Sequence, residues 1–357
     1  MTMDRFSEAY AEAQGAIGSG DLSGAFKSLK WGIKGLLAAG GPSASNKEVL
    51  DKLRAIISKE AGVLLVAATA TSTTAAAKAI IGGAGVGDKR NDRVAMLKML
   101  RHLYHQISAG GQQIWVYSPP VSFSKWIFDE VKGVNDTALE AAISKDADEV
   151  YSEIQRATMA NAIQKARAFC QSVAVKMGKS NAETDAVVRR YFGGAATDAK
   201  ALAEIRKTLA SGYLKIAAAC NGCSIVISDE PGDRTGGGWD DWAFIWPSES
   251  MNVIYLQGAW LTKADEISPS NQSPIYRCAR TIIHELSHKH VNTEDICYGP
   301  AGLMPSSSLT PEYALHNADS WAYFGIDVLG FLTGPDKTNG EIANVAIRKT
   351  PSKTLSA

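Results

Sequence analysis

The segment ARTIIHELSHKH, residues 279–290, constrains this chain more than any other stretch, because it has the period of a helix and places three of the chain's six histidines within seven residues. Each residue of an α-helix advances about 100°, so Ala279, Ile282 and Leu286 share one face while Thr281, His284 and His288 lie nearly opposite. Histidines four apart stand about 40° apart around the axis and one turn along it, so both imidazoles can reach one ion. Glu285 falls beside them, where it can hold a metal-bound water. His290 lies about 200° round from His288 and reads as an exposed residue near a helix C-terminus.

The pattern is His-Glu-x-x-His, and a catalytic zinc takes three protein ligands and keeps one position open. One known arrangement puts a Gly and a third His at fixed steps after the second His, but those steps hold Val291 and Glu294. Another takes a carboxylate from a later helix, a place open to Glu312 or its neighbour His316. Asp295, seven residues after His288 where the chain turns back from the helix, is the nearer choice.

From His284 onward the chain resembles the aspzincins, the family of deuterolysins and peptidyl-lysine metalloendopeptidases. In that family His-Glu-x-x-His is followed by Gly-Thr-x-Asp-x-x-Tyr-Gly, and NTEDICYG (292–299) is the counterpart here. A later Asn-Ala-Asp with a following Tyr-Phe is matched by NADSWAYF, 317–324. The resemblance covers about residues 140–330. It implies a zincin-like fold and a metallopeptidase acting on protein or peptide substrates. It also implies one zinc ion held by His284, His288 and Asp295, with Glu285 as general base and Tyr298 steadying the oxyanion. Asn292 replaces the family's Gly, and Asn is the next-best residue for the left-handed conformation that ends a helix. In the lysine-specific branch an acidic pair holds the substrate lysine; here Asp319 is present, as a substrate contact or as an anchor of its loop by hydrogen bonds, but the second position is Ala322, which leaves lysine specificity open.

Around this centre the chain divides by pattern. Helical runs separated by Gly-rich breaks fill the first part: AFKSLKWGIKGLLAAGG, NKEVLDKLRAIISKEAG with Asn46 as N-cap, and NDRVAMLKMLRHLYHQIS. They predict an all-α N-terminal domain over 1–125, serving delivery, as a pro-segment or as a brace. His102 and His105, one turn apart in the third run, read as ordinary helix surface. Paired prolines in GGQQIWVYSPPVSFSKW predict a linker between about 110 and 140. A catalytic domain over 140–335 is predicted as α+β: long helices over 146–177 and 198–220, then short strands in CSIVIS, WAFIWP and MNVIYLQGAW, forming a small antiparallel-edged sheet. Residues 336–357 read as a flexible tail. The glycines 236–238 lack the Lys and helix start of a phosphate cradle and read as loop.

Composition sets the outer limits. Lys+Arg and Asp+Glu both number 37 in 357 residues, so bulk charge points to no nucleic acid or anionic membrane. Residues 61–87 are the least polar stretch, yet only 17 uncharged residues precede Lys78, against the ~20 apolar ones a spanning helix needs. The stretch therefore reads as a packed small-residue helix. The start MTMDRFSEAYAEAQ shows no secretory signal pattern, so the expectation is synthesis in the cytoplasm and release by a specialised system, as for a bacterial effector or toxin with a secretion apparatus and a cognate inhibitor. Five cysteines are too few for a disulfide scaffold, and Cys220 and Cys223 are expected either to form a disulfide, with Cys170 as another partner, or to be buried thiols. Two other readings stand beside the enzyme: a zinc-stabilised binding protein without turnover, and a membrane-acting toxin using residues 61–87.

Overall fold

The computed structural model describes residues 105–109, 112–117, 135, 137–138, 153–194, 196–221, 225–228, 241–249, 251–264, 273–299 and 309–333. Within these the chain is mostly helical with a small mixed sheet, the α+β class that the sequence predicts. The helical runs over 1–104, the stretch 61–87, Cys223, the glycines 236–238 and the tail 336–357 lie outside the described residues. The chain forms two compact units that interleave in sequence: 1–157 with 223–241 and 249–258, and 158–222 with 242–248 and 259–357.

In the first unit, strands β1 (His105–Ala109) and β2 (Gln112–Tyr117) pair antiparallel, with Ala109 opposite Gln112. Strand β3 (Ile225–Ser228) runs parallel to β2, and β5 (Asn252–Leu256) runs parallel to β3 in the register Ser228 to Tyr255. Every residue of β3 is buried, as a continuous apolar run flanked by strands on both sides requires. The antiparallel edge comes from β1, a segment that the periodicity of NDRVAMLKMLRHLYHQIS predicts as helix. Residues 105–109 and 112–117 thus depart from the all-α expectation. Their β-branched and aromatic content, split by Gly110-Gly111, fits a two-residue hairpin better than a helix end.

The second unit carries the helices. In α1 (Glu153–Met177), Met159, Ile163, Ala166, Cys170, Val173 and Met177 are buried at alternating steps of four and three, which makes one apolar stripe. After α2 (Ala182–Val188) a π-helical turn, Arg189–Gly193, buries Tyr191 and Phe192. Helix α3 (Ala199–Asn221) follows, then the three-residue strand β4 (Ala243–Ile245) and α4 (Gly258–Lys263), which takes the last part of the MNVIYLQGAW segment predicted as strand. Helices α5 (Pro274–His290), α6 (Pro311–Leu315) and α7 (Ala318–Asp327) complete the unit.

Every residue of α7 is buried. Trp321 packs on Phe192 and Tyr213 at centroid distances of 6.2 and 5.2 Å, and Phe324 packs on Tyr191 and Phe192 at 5.8 and 5.1 Å. Gly212 of α3 permits this closeness, since a Cβ there would collide with the Trp321 ring and with Val291. Arg190 pairs with the buried Asp327 carboxylate at 3.1 Å. The start of α7 is therefore a rigid platform, and it faces the loop that follows α5.

Candidate metal centre

Helix α5 begins with Pro274 at its first turn and runs to His290, longer at its N-terminus than 279–290. Ala279, Ile282, Ile283 and Leu286 are fully buried, which fixes the rotation of the helix and turns His284 and His288 to the opposite side. The chain leaves the helix through Val291 and then Asn292 at φ 62°, the one non-glycine residue with positive φ among those described. Asn is tolerated there because its short polar side chain makes the left-handed region accessible.

The two imidazoles are fixed from behind. His284 Nδ1 donates to Asp319 Oδ1 at 2.6 Å, and His288 Nδ1 donates to the Thr293 carbonyl at 2.9 Å. In the neutral rings these bonds place the hydrogens on Nδ1 and leave both Nε2 lone pairs facing forward. There Nε2 of His284 and Nε2 of His288 stand 3.3 Å apart, and Asp295 Oδ1 lies 3.1 Å from the first and 3.4 Å from the second. Three lone-pair atoms thus form a near-equilateral triangle.

Zinc bonded at 2.0–2.2 Å in a tetrahedron separates its ligand atoms by roughly 3.3–3.6 Å, so the triangle has the size of one tetrahedral face. Asp295 Oδ1 is buried and has no hydrogen-bond partner, and the neutral tautomers that bind a metal would have no Nε2 hydrogen to give it. A cation is what three convergent acceptors lack, and two imidazoles with one carboxylate are a donor set suited to zinc. The residues therefore fit the implied metal.

The electrostatics have the same sense. Burial alone would lower His284, but Asp319 and then Asp295 outweigh it and hold its pKa well above the usual imidazole value. His288 is likewise raised against burial, chiefly by Asp295. Asp295 and Asp319 are held below the usual carboxylate range, against the cost of burial, by the two histidines and by His284 respectively. A site that draws protons to its imidazoles so strongly is one that favours positive charge between them.

Glu285 is 4% exposed, and a carboxylate oxygen of it lies within 4.8 Å of the ligating atoms of both histidines. Burial raises its pKa, with the histidines pulling the other way. Tyr298 is 45% exposed and its ring lies nearly parallel to that of His284, 17° between planes and 6.1 Å between centroids. Its hydroxyl bonds to Asp295, and burial together with Asp295, Asp319 and Glu285 pushes its pKa up, so it remains a proton donor.

The structure brings together His284, Glu285, His288, Asp295 and Tyr298. Asp319, read as a substrate contact or a loop anchor, has both oxygens engaged: one takes His284 Nδ1 and the other accepts the Gly299 N–H at 2.6 Å. Asp319 therefore orients the His284 imidazole and pins the loop beyond it, as the loop-anchor reading expects. Glu312 is exposed in the first turn of α6, and His316 is buried against the Asn292 carbonyl, so neither of these alternatives joins the triangle. His290 is half-buried and its pKa is lowered by burial. His105 lies in β1, off any helix. Cys170, Cys220, Cys278 and Cys297 are buried free thiols, and burial pushes Cys220 and Cys297 up to about 12. Asn317 was legible only as part of a motif, without a role, and Ser287, which bonds to Thr293 Oγ1 at 2.7 Å, gave no signal at all.

Residues 177–326 match the aspzincin family, described as lysine-specific metallo-endopeptidase, so the resemblance read from two motifs is borne out and falls in the C-terminal region. Over 84 residues the chain is 32% identical to an extracellular protease of Aeromonas hydrophila, which is 23% of this chain and 22% of that protein. The chain thus spans about a fifth of the length of that relative. A zinc peptidase from Grifola frondosa aligns with 49% of this chain and 96% of its own at 23% identity and a TM-score of 0.37.

Proposed function

We propose that this chain is a zinc-dependent metallo-endopeptidase acting on protein or peptide substrates, with one ion held by His284, His288 and Asp295. The observation that carries this reading is the triangle of 3.1, 3.3 and 3.4 Å made by three acceptor atoms, one of them buried without a donor. When bound there, zinc supplies a Lewis acid that lowers the pKa of water from 15.7 toward ~7 and polarises a peptide carbonyl. Glu285 takes the proton of the attacking water on its carboxylate and returns it to the leaving amine, a task that its raised pKa favours. Tyr298 gives its hydroxyl hydrogen to the oxyanion, exchanging its bond to Asp295 for the stronger one to developing charge. Asp319 keeps His284 in the right tautomer and orientation throughout. Release from the producing cell belongs to the same reading and is supported by the name of the Aeromonas relative, an extracellular protease; a specialised route and a cognate inhibitor complete the proposal. Among the described residues no helix is long and apolar enough to cross a membrane.

The test is zinc content together with casein cleavage, with and without a chelator. The native chain is expected to hold one zinc and cut, whereas Glu285→Gln is expected to hold zinc and not cut. A zinc-loaded chain that leaves casein and peptide libraries intact, or a Glu285→Gln variant as active as the native one, would replace the enzyme with a zinc-stabilised binding protein.

A further inference from the structure

Asn317 occupies the N-cap of α7, where an Asn side chain ordinarily accepts an N–H of its own helix, and it makes no such bond. Its side chain turns to the ligand loop instead. Oδ1 accepts the Ile296 and Cys297 N–H groups at 3.1 and 3.0 Å, while Nδ2 donates to Ser320 Oγ at 3.0 Å and to Cys297 Sγ at 3.3 Å. Asn317 and Ile296 are fully buried and Cys297 nearly so, so water cannot replace these bonds. On the other side of Asp295, the Glu294 N–H donates to the His316 carbonyl and the Ala318 N–H donates to the Glu294 carbonyl, at 2.6 and 3.0 Å. The chain around Asp295 is thus held before and behind by the start of α7, while Asp295 itself has no hydrogen-bond donor for its inner oxygen.

We propose that Asn317 is a positioning residue for the metal: by gripping the backbone just past Asp295 it sets where that carboxylate stands and hence how tightly zinc is held. This rests on the zinc reading above. A ligand atom must sit within a few tenths of an ångström of its bonding distance, and a loop ligand has no helix ladder to keep it there. Without the Asn317 oxygen, two buried N–H groups lose their acceptor together, and the loop can satisfy them only by moving. The helix gives up a cap to avoid that, a local rule broken at the place where function would break it.

Zinc affinity, measured by competition with a chromophoric chelator, and the visible spectrum of the cobalt-substituted protein test the proposal. Asn317→Ala is expected to bind zinc about 10–100-fold more weakly, as removal of an outer-shell partner does, with an altered cobalt spectrum. Asn317→Asp retains an acceptor at the same place and is expected to recover most of the loss. Ser320→Ala removes a bond of Asn317 that does not reach the loop and is expected to leave affinity unchanged. If Asn317→Ala does not fold, Asn317→Ser, too short to span both N–H groups, takes its place with the same expectation. Native-like affinity in the Ala or Ser variant, or an Asp variant as weak as they are, overturns the positioning role alone. A native chain that takes up no zinc overturns it together with the reading on which it rests.

Discussion

Helix α5 and the loop that follows it feed the same small triangle by different means. The helix places His284 and His288 through its own period, and its buried face of Ala279, Ile282, Ile283 and Leu286 fixes the rotation. The loop has no period. Asp295 is placed by Asn317 and by the backbone of His316 and Ala318, more than twenty residues further along the chain. A similar contrast separates the two imidazoles: a side-chain carboxylate holds His284, whereas a carbonyl of the adjoining loop holds His288. Locally built ligands should therefore resist distant substitutions, and remotely built ones should not.

The largest expected effect tests the helix half. Glu285→Gln should lower casein cleavage by about 10²–10⁴-fold with zinc content unchanged, since general-base catalysis is removed while three ligands remain. A drop in zinc content to match would mean that Glu285 is itself a ligand, as its place within 4.8 Å of both histidines allows.

Asp319→Asn breaks the remote support of His284. Zinc affinity and cleavage should both fall by about 10–100-fold, because an amide in place of a buried carboxylate gives up the charge-assisted bond to Nδ1. If Asp319 contacted substrate instead, KM for lysine-containing peptides would rise while zinc affinity stayed put.

A pH series on the chelator-stripped protein separates the same two supports. His284 and His288 have raised folded values, so their contribution is present below about pH 6.5, the ordinary imidazole value, and is lost as pH rises through the raised ones. Asp295 and Asp319 have depressed values, so theirs persists down to the ordinary carboxylate range and fails only as pH falls through the depressed ones. Melting temperature should accordingly be higher near pH 5.5 than near pH 8, to about the extent these shifts allow. Asp319→Asn should flatten that difference.

The smallest effect belongs to the junction between helix and loop. Asn292→Ala should destabilise the protein by about 1–2 kcal/mol by denaturant melting, the cost of a left-handed residue without Asn's compensation, and Asn292→Gly should cost nothing. Equal stability of the Ala variant would show that the helix exit can relax to another conformation.

Much of the site was legible because it is local. Imidazoles four apart, a glutamate beside them, an Asn able to turn left-handed and an Asp on the returning chain all lie within twelve residues, and helix geometry relates the first three directly. What escaped was long-range. Asp319 read as a substrate contact or a loop anchor, while the partners its oxygens meet, His284 and Gly299, lie 35 and 20 residues away. The helical period running through NDRVAMLKMLRHLYHQIS extended past its end into β1, because a strand's fate depends on the partner it meets, here β2 and through it β3.

The sequence by itself determined that a helix would present two imidazoles and a carboxylate to one point, since backbone hydrogen bonding within 17 residues settles that geometry. Only the tertiary structure decided how the carboxylates of the later chain would meet them. That choice depends on α7, wedged by Trp321 and Phe324 into an aromatic core, bringing Asn317 and Asp319 against the loop, and such packing is a property of distant residues meeting, which no local pattern encodes.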